Sequence, residues 1–329
     1  MLVSAPRMDP HNMQPSPDAR TASVLDPAAV AEMFRREIRA ELATLSEPLF
    51  LVGVLAADHG PSFTYAEYTR KACEDVGVRF EIRHATRLTA EDAIRAANAD
   101  PGVHGIMVYY PIFGTEQDAY LRDTVDPSKD IEGLHTFWAR CLYGNLRFLD
   151  AAKTRKAILP CTPLAVLKLV EAAGFFAGER PLEGRSVCIF NRSEVVGRPL
   201  ACMMAHDGAR VTSFDIDGPL LFAPSASGEM HEVKETTVDR ATALREADIV
   251  VTGVPSREFP HVRAAEIREG ALCINFSTFK NFSDDVLSKA KVFVPRVGPM
   301  TVTMAIRNSL RLYKNMHGGG KVEETSAPA

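Results

Sequence analysis

The sequence predicts an α/β protein of two domains: an N-terminal α/β domain and a Rossmann-type dinucleotide-binding domain with a parallel sheet. Apolar runs of strand length alternate with helical patterns in both halves of the chain, which is typical of parallel sheets. The apolar run 187–190 is followed by a polar turn and a helix start, the arrangement that opens a dinucleotide-binding unit. With 329 residues, 46% of them hydrophobic, the chain is long enough for two cores.

The composition excludes several classes of partner. A net charge of -4 supplies no basic field for nucleic acid or for an acidic membrane. No apolar run approaches the roughly 20 residues of a membrane helix. The six cysteines contain no C-x-x-C pair, which favours reduced thiols and predicts neither a disulfide framework nor a metal site. We therefore expect a soluble, cytoplasmic protein with a small-molecule ligand.

The elements follow in a regular order along the chain. Residues 1–23 lack periodicity and are interpreted as a flexible leader; a transit peptide is the less favoured reading, because Asp9 and Asp18 offset its arginines. Asp26 and Pro27 begin the first helix, and Thr162 is expected to cap a later one, with Pro163 at its first position. Residues 317–329 form the predicted tail. The predicted strands are 49–55, a strand around 80–82, 105–109, 187–190, 210–214, 248–252, 272–275 and 292–294.

Six motifs, in order, carry a resemblance that covers about residues 23–315. They are YAEYTRKACEDVG, GIMVYYP, KDIEG, LPCTPLAV, NRSEVVGRPLA and VGPMTV. This order resembles the methylenetetrahydrofolate dehydrogenase/cyclohydrolase family, most closely its monofunctional NAD-dependent members from fungi. The resemblance implies a catalytic folate-binding domain at 24–160 completed by a C-terminal helix at 301–316, an NAD-binding domain at 161–300, and a folate cleft between them. It also implies a homodimer that docks through the nucleotide-binding domains.

Two departures from the bifunctional pattern bear on activity. That pattern has a lysine four residues after the tyrosine, on the same helix face, whereas this chain has Thr69 after Tyr65. A glutamine on the following strand is replaced by Tyr109. Cyclohydrolysis needs a group that activates water and moves a proton, and neither replacement does this. Arg70 and Lys71 lie at helix positions turned away from Tyr65, so we predict that cyclohydrolase activity is absent.

The resemblance places three residues at the reacting centre. Tyr65 would stack on the folate or hydrogen-bond to it, and Glu132 replaces the family's aspartate as a carboxylate that holds the pterin. Cys161 matches the position treated in the family as an active-site cysteine. We expect contact rather than covalent chemistry there, because hydride transfer needs no thiolate. Taken alone, these residues would be read as a helix face, a solvated turn and a packed thiol. The expected substrate-binding residues are Thr69, Tyr109, Pro299 and Thr301.

The cofactor is predicted from the end of the second strand of the nucleotide unit. Asp215 lies 24 residues after Asn191 (215 minus 191), where a carboxylate accepts hydrogen bonds from the adenosine ribose and repels a 2′-phosphate, which favours NAD over NADP. Without that context it would be read as a turn former. Two roles stay open for Arg192, which could pair with the pyrophosphate or cover the adenine. An arginine here could also bind a 2′-phosphate, which would favour NADP. The other expected cofactor contacts are Ser193, Gly197, Ile216, Gly253, Val254, Pro255, Asn275 and Ser277.

These expectations combine into one predicted activity. The chain would oxidise 5,10-methylene-tetrahydrofolate to 5,10-methenyl-tetrahydrofolate with NAD, in one-carbon metabolism that serves purine biosynthesis. Positioning dominates this step, because the folate nitrogens stabilise the developing cation, and it requires no metal. Two alternatives stay open. One is a bifunctional NADP-dependent enzyme of the same family, and the other is a non-catalytic nucleotide-binding protein.

Overall fold

The computed structural model describes residues 22–227 and 230–317. It confirms the predicted class, since two sheets built mainly of parallel strands are each flanked by helices. The first half contains helices α1 (Pro27–Leu42), α2 (Pro61–Val76), α3 (Ala90–Ala99), α4 (Gln117–Thr124) and α5 (Thr136–Tyr143), with strands β2 (Phe50–Leu55), β3 (Arg79–His84) and β4 (Gly105–Val108).

The small sheet of the first half has the order β3-β2-β4, with all three strands parallel. All six residues of β2 are buried, as expected for a central strand covered on both faces. The Asp26 side chain accepts a hydrogen bond from Ala28 N at 3.0 Å, so the predicted start of α1 is confirmed.

The large sheet belongs to the second half and has eight strands. The second half contains β5 (Ser186–Phe190), β6 (Arg210–Asp215), β7 (Gly218–Pro224), β8 (His231–Glu235), β9 (Ile249–Thr252), β10 (Leu272–Asn275) and β11 (Val292–Val294), with helices α6 (Cys161–Ala172), α7 (Gly197–His206), α8 (Arg240–Glu246) and α9 (Gly298–Leu312). With β1 (Ser23–Val24) at one edge, the strand order is β1-β11-β10-β9-β5-β6-β7-β8. The order reverses direction around β5, and ligands in open α/β sheets bind at such a switch point.

The sequence prediction missed three strands of this sheet. Residues Ser23–Val24 form β1, which pairs in parallel with β11, so Ser23 is not part of a flexible leader. The other two strands, β7 and β8, form an antiparallel hairpin beyond β6. The rest of the predicted leader, and nearly all of the predicted tail, lie outside the described residues.

Helix α9 returns to the first half of the chain, as expected. It begins at Gly298, three residues before the predicted start, and a π-helical turn, Tyr313–His317, follows it. Arg35 Nε of α1 donates to Thr303 Oγ1 at 3.2 Å. Asn308 Nδ2 donates to Ile131 O at 3.0 Å and to Leu159 O at 2.9 Å. Through these bonds α9 connects α1 with the loops of the KDIEG and LPCTP motifs.

Within 22–227 and 230–317, no helix combines the length and the apolar character that crossing a membrane requires. All six cysteines are free and buried. Trp138 is fully buried, and its Nε1 donates to Pro127 O at 2.9 Å, so this tryptophan is a core residue.

Candidate active site

A cleft of about 970 Å³ opens between the two halves of the chain. Tyr65, Tyr109, Glu132 and Cys161 line it from the first half and from the start of α6. Asn275, Ser277 and Thr301 line it from the second sheet and from the start of α9. Seven residues predicted from the sequence to bind substrate or cofactor, or to take part in catalysis, therefore share one cavity.

Tyrosines form one wall of this cleft. The rings of Tyr65 and Tyr109 meet edge to face, with centroids 5.8 Å apart. The hydroxyls of Tyr109 and Tyr110 are buried and have no hydrogen-bond partner within the described residues. A buried hydroxyl without a partner is costly, so both are suited to a polar ligand in the cleft.

Glu132 lies beneath these rings. Its Oε2 accepts a hydrogen bond from Val108 N at 3.1 Å, which fixes the carboxyl against the end of β4. Burial, and next the charge of Asp130, raise the pKa of Glu132 to about 8. The carboxyl is thus mostly protonated at neutral pH, whereas the sequence suggested a carboxylate charge.

Asp130 of the KDIEG motif organises the loop that carries Glu132. Its Oδ1 accepts from Glu132 N at 3.1 Å and from Gly133 N at 3.0 Å, and its Oδ2 accepts from His135 N at 2.8 Å. Lys129 Nζ donates instead to three carbonyls at the end of α3, those of Ala97, Asn98 and Asp100. The charged pair of this motif is therefore structural, and only the glutamate faces the cleft.

Cys161 is the first residue of α6, and its thiol is buried beside Glu132. Sγ donates to Ile131 O at 3.2 Å, and Asn308 Nδ2 contacts Sγ at 3.6 Å. Burial, with the nearby Glu132 and Asp130 carboxyls, raises the pKa of Cys161 well above its ordinary value. The helix starts one residue before Thr162, so the predicted Thr162 cap is wrong; Pro160 occupies the cap position.

Thr69 lies beside the tyrosines but outside the cleft lining. It is 1% exposed, and its hydroxyl donates to Tyr65 O at 2.8 Å. Arg70 points elsewhere, because it pairs with Glu67 at 2.8 Å and with Glu74 at 2.6 Å. The orientation that was predicted for Arg70 is confirmed. Thr69 holds the position of the bifunctional lysine beside Tyr65, and the cations among the cleft-lining residues, Lys280 and Arg296, come from the second half of the chain.

The start of α9 closes the cleft at the domain junction. Thr301 Oγ1 donates to Thr162 Oγ1 at 3.5 Å, which joins the first turns of α9 and α6. Pro299 lies in the same turn but does not line the cleft, and its carbonyl accepts from Thr303 Oγ1 at 2.9 Å.

The turn between β5 and α7 is held by Asn191. Its Oδ1 accepts from Ser193 N at 3.0 Å and from Ser193 Oγ at 2.8 Å, and its Nδ2 donates to Gly253 O at 3.1 Å. A Cβ on Gly197 would lie 2.1 Å from Asn191 O, so the turn can approach the helix only at a glycine. The first N–H groups of α7 already donate within this turn, Gly197 N to Ser193 Oγ at 3.5 Å and Arg198 N to Ser193 O at 3.0 Å.

Arg192 and Asp215 are joined at the carboxyl end of β6. Asp215 Oδ2 accepts from Arg192 N at 2.5 Å, and its Oδ1 accepts from Ile216 N at 2.8 Å. The Arg192 guanidinium donates to Ser213 O at 2.9 Å and to Gly218 O at 3.0 Å, and it pairs with Asp217. All of these partners belong to the β6–β7 region, so the guanidinium is already neutralised by its own chain.

Two loops after β9 and β10 face the same edge of the sheet. Asn281, which is fully buried, donates Nδ2 to Val254 O at 3.1 Å and accepts from Val254 N at 2.9 Å. Ser277 Oγ also donates to Val254 O, at 2.9 Å. A Cβ on Gly253 would lie 1.8 Å from the Phe276 ring. The absent side chain of Gly253 therefore makes room for Phe276, not only for a cofactor as the sequence suggested.

The remaining predicted contacts lie at the surface near these loops. Ile216 is fully exposed and Pro255 is exposed. The sequence reasoning missed Tyr110, Phe276 and Asn281 as site residues. The two consecutive tyrosines of GIMVYYP could have indicated Tyr110. The residues around Phe276 and Asn281 in the sequence do not indicate the contacts that these two make.

Family models match both halves of the chain. The model described as tetrahydrofolate dehydrogenase/cyclohydrolase, catalytic domain, matches residues 25–132, and the one described as tetrahydrofolate dehydrogenase/cyclohydrolase, NAD(P)-binding domain, matches residues 160–317. Methylenetetrahydrofolate dehydrogenase [NAD(+)] of Dictyostelium discoideum is 40% identical over 300 residues, which cover 88% of this chain and 94% of the relative.

A solved structure agrees with these matches. The NAD-dependent 5,10-methylenetetrahydrofolate dehydrogenase from Saccharomyces cerevisiae superposes with a TM-score of 0.84 at 38% identity, covering 91% of this chain and 99% of the other. The bifunctional protein FolD of Acidovorax sp. is 30% identical and covers 88% of this chain and 98% of its own. The chain therefore belongs to the tetrahydrofolate dehydrogenase/cyclohydrolase family.

Proposed function

We propose that this protein oxidises 5,10-methylene-tetrahydrofolate to 5,10-methenyl-tetrahydrofolate by hydride transfer to NAD. The similarity to NAD-dependent relatives over nearly the whole chain supports the reaction. The observation that carries the choice of cofactor is the pair of acids at the end of β6, Asp215 and Asp217, around an arginine that is already neutralised.

The nucleotide side of the site fits NAD. The turn 191–196 lies at the switch point of the sheet, where a pyrophosphate binds in this fold, and Asp215 is an exposed acceptor at the strand end where an adenosine ribose binds. A 2′-phosphate there would meet two carboxylates and no unpaired guanidinium. When bound, NAD supplies the acceptor for the hydride at its nicotinamide ring.

The folate side of the site works by positioning. The hydroxyls of Tyr109 and Tyr110 and the protonated carboxyl of Glu132 are neutral groups that would hydrogen-bond a pterin and orient the donor carbon. The Cys161 thiol is protonated and would pack against the substrate without forming a bond to it. These groups also exclude water from the reacting carbon, because the wall they form is buried.

Initial rates with NAD and with NADP test the proposal in the wild type and in Asp215→Ser. We expect the wild type to prefer NAD, and the variant to lose about 10- to 100-fold of that preference, the equivalent of one charged hydrogen bond. Asp92→Ser, an exposed acid on α3, is the matched control and should leave the preference unchanged. Preference of the wild type for NADP would refute the cofactor assignment, and a chain that reduces neither cofactor would favour a non-catalytic protein.

We infer further that cyclohydrolase activity is absent. Thr69 is buried and bonded to the backbone, and Arg70 is held by two glutamates, so neither can activate water beside Tyr65. The measurement is the release of 10-formyl-tetrahydrofolate from methenyl-tetrahydrofolate. A rate above the spontaneous hydrolysis measured without enzyme would overturn this inference.

A homodimer that docks through the nucleotide-binding domain, in the cytoplasm, completes the proposal. Strand β8 is an edge of the large sheet, and Val233 on it is 40% exposed. The unpaired backbone N–H and C=O groups along an edge strand are a surface with which another chain can pair. Light scattering should give twice the chain mass for the wild type and a smaller mass for Val233→Lys. A monomeric wild type would contradict the dimer, and fractionation of cells would test the compartment.

A further inference from the structure

Three side chains with metal-binding atoms converge behind the large sheet, away from the cleft. They are Cys202 and His206 of α7 and His231 of β8. Cys202 Sγ lies 3.5 Å from His231 Nδ1 and 3.9 Å from His206 Nε2, and the two histidine nitrogens are 2.9 Å apart. None of the three lines the cleft or appears among the predicted contacts of substrate and cofactor.

The fold brings these residues together for local reasons. Cys202 and His206 are four residues apart, so they share one face of α7. His231 opposes Pro224 in the β7–β8 hairpin and stacks on Phe222, with ring centroids 6.3 Å apart and planes 10° apart. The hairpin thus presents His231 to the C-terminal end of α7.

The separations match those of a tetrahedral zinc site. Zinc–sulfur bonds of about 2.3 Å and zinc–nitrogen bonds of about 2.05 Å imply S···N distances of roughly 3.6 Å and N···N distances of roughly 3.3 Å at the tetrahedral angle. The three distances measured here differ from these by a few tenths of an ångström at most. Zinc is also the divalent ion best suited to a donor set of one thiolate and two imidazoles.

The surroundings suit a bound cation in spite of two nearby arginines. Arg147 is paired with Asp207 at 3.1 Å, and Arg198 lies 3.8 Å from Glu194. The thiolate formed on binding would offset one charge of the ion.

We propose that Cys202, His206 and His231 form a zinc site that ties the β7–β8 hairpin to helix α7. The thiol of Cys202 loses its proton to solvent when the zinc–sulfur bond forms, and water fills the fourth position of the ion. Helix α7 is the one whose N-terminus begins at Gly197, so the ion would anchor the far end of the helix that faces the cofactor. His231 is only half-buried and provides the path of entry.

The test uses the whole protein, stripped of metal with a chelator and then titrated with Zn²⁺ against a chromophoric competitor. We expect one zinc per chain, and a zinc affinity lower by more than about 100-fold in Cys202→Ala and in His231→Ala. Loss of a residue that only hydrogen-bonds to a metal ligand already lowers metal affinity by about 10- to 100-fold, and loss of a ligand should lower it more. Cys273→Ala, another buried cysteine, and His261→Ala, an exposed histidine, are the controls and should bind as the wild type does.

Cobalt substitution identifies the ligands independently of affinity. Co²⁺ in the wild type should show the absorption of a tetrahedral ion and a thiolate charge-transfer band, and that band should vanish in Cys202→Ala. If this variant does not fold, His231→Ala, on a half-buried edge strand, carries the affinity test alone. Equal zinc affinity in the wild type and His231→Ala would overturn the proposal and leave a hydrogen-bonded histidine pair only, and a preference for Cu⁺ over Zn²⁺ would overturn the choice of ion.

Discussion

The folate side and the nucleotide side of the candidate active site differ in charge. On the folate side, Cys161 is buried and Tyr65 and Glu132 are partly buried, and burial raises the pKa of each, so all three are uncharged at neutral pH. On the nucleotide side, Asp215 and Asp217 are exposed and lie beside Arg192. Under the proposed function, the first side would therefore select its ligand by shape and neutral hydrogen bonds, and the second side would select by charge.

The largest expected effect is on the nucleotide side, in Gly197→Ala. The new Cβ would lie 2.1 Å from a backbone oxygen, which cannot yield as a flexible side chain does. We expect a loss of about 3 kcal/mol or more in the free energy of unfolding, and weaker NAD binding. Chemical denaturation measures the first. Gly298→Ala, where a Cβ meets nothing within 4 Å, is the control, and an equal loss there would refute the steric explanation.

The next effect is a pH dependence that comes from the folate side. The pKa of Glu132 is about 8 in the folded chain and 4.5 as its ordinary value, so the folded state holds a proton that the unfolded state has lost between these values. Its contribution to stability is largest below pH 4.5 and is lost as the pH rises through 8. Relative to Glu132→Gln, the wild type should lose several kcal/mol over this range, at about 1.4 kcal/mol per pKa unit.

Urea denaturation at pH 5 and at pH 8 measures this difference for both chains. Other groups titrate in the same range, but they do so in both proteins and cancel in the comparison. If the free energy of unfolding changed equally with pH in the wild type and in Glu132→Gln, Glu132 would be ionised in the folded protein. The folate side and the nucleotide side would then not differ in charge.

A smaller effect is expected when the charge balance of the nucleotide side is altered. Asp217→Asn removes the carboxylate that pairs with Arg192 but keeps Asp215. The freed guanidinium should improve kcat/KM with NADP by up to about tenfold, the size of one exposed ion pair or slightly more. Kinetics with both cofactors measure it. An improvement larger than that of Asp215→Ser would show that Asp217, not Asp215, is the main barrier to the 2′-phosphate.

The smallest effect concerns Cys161. Because its thiol is protonated and buried, Cys161→Ala should lower kcat less than tenfold, through lost packing alone. Steady-state kinetics test this, with Cys73→Ala, another buried cysteine, as the control for general destabilisation. A loss above about 100-fold, with the fold intact, would point to covalent chemistry on the folate side.

Most of the strands could be predicted from the sequence. The three strands that were missed show why the others were visible. The strands β2, β5, β9 and β10 are continuous apolar runs, so burial on both faces is visible in the sequence itself. The hairpin β7–β8 has mixed, half-exposed residues, and its pairing depends on β6. Strand β1 has two residues and exists only because β11 lies beside it.

The same limit applies to the site. Tyr65, Glu132 and Cys161 fall in one cleft because each stands in a motif with a fixed place in the family. The contacts of Arg192 and the ring of Phe276 over Gly253 join positions 21 to 26 residues apart through the folded backbone. No periodicity encodes such meetings, and neither does it encode the protonation of Glu132, which depends on burial of the carboxyl and on the charge of Asp130.

The cleft can be completed only after helix α9 has been synthesised. The Asn308 amide binds Ile131 O and Leu159 O and contacts the thiol of Cys161, so the loops that carry Glu132 and Cys161 are held by a helix that is synthesised after them. A nascent chain that ends before residue 298 lacks these bonds, although Tyr65, Glu132 and Cys161 are already present. The cleft is therefore finished only when α9 has emerged, and removal of α9 would disrupt the cleft from a distance of about 150 residues (308 minus 159 is 149).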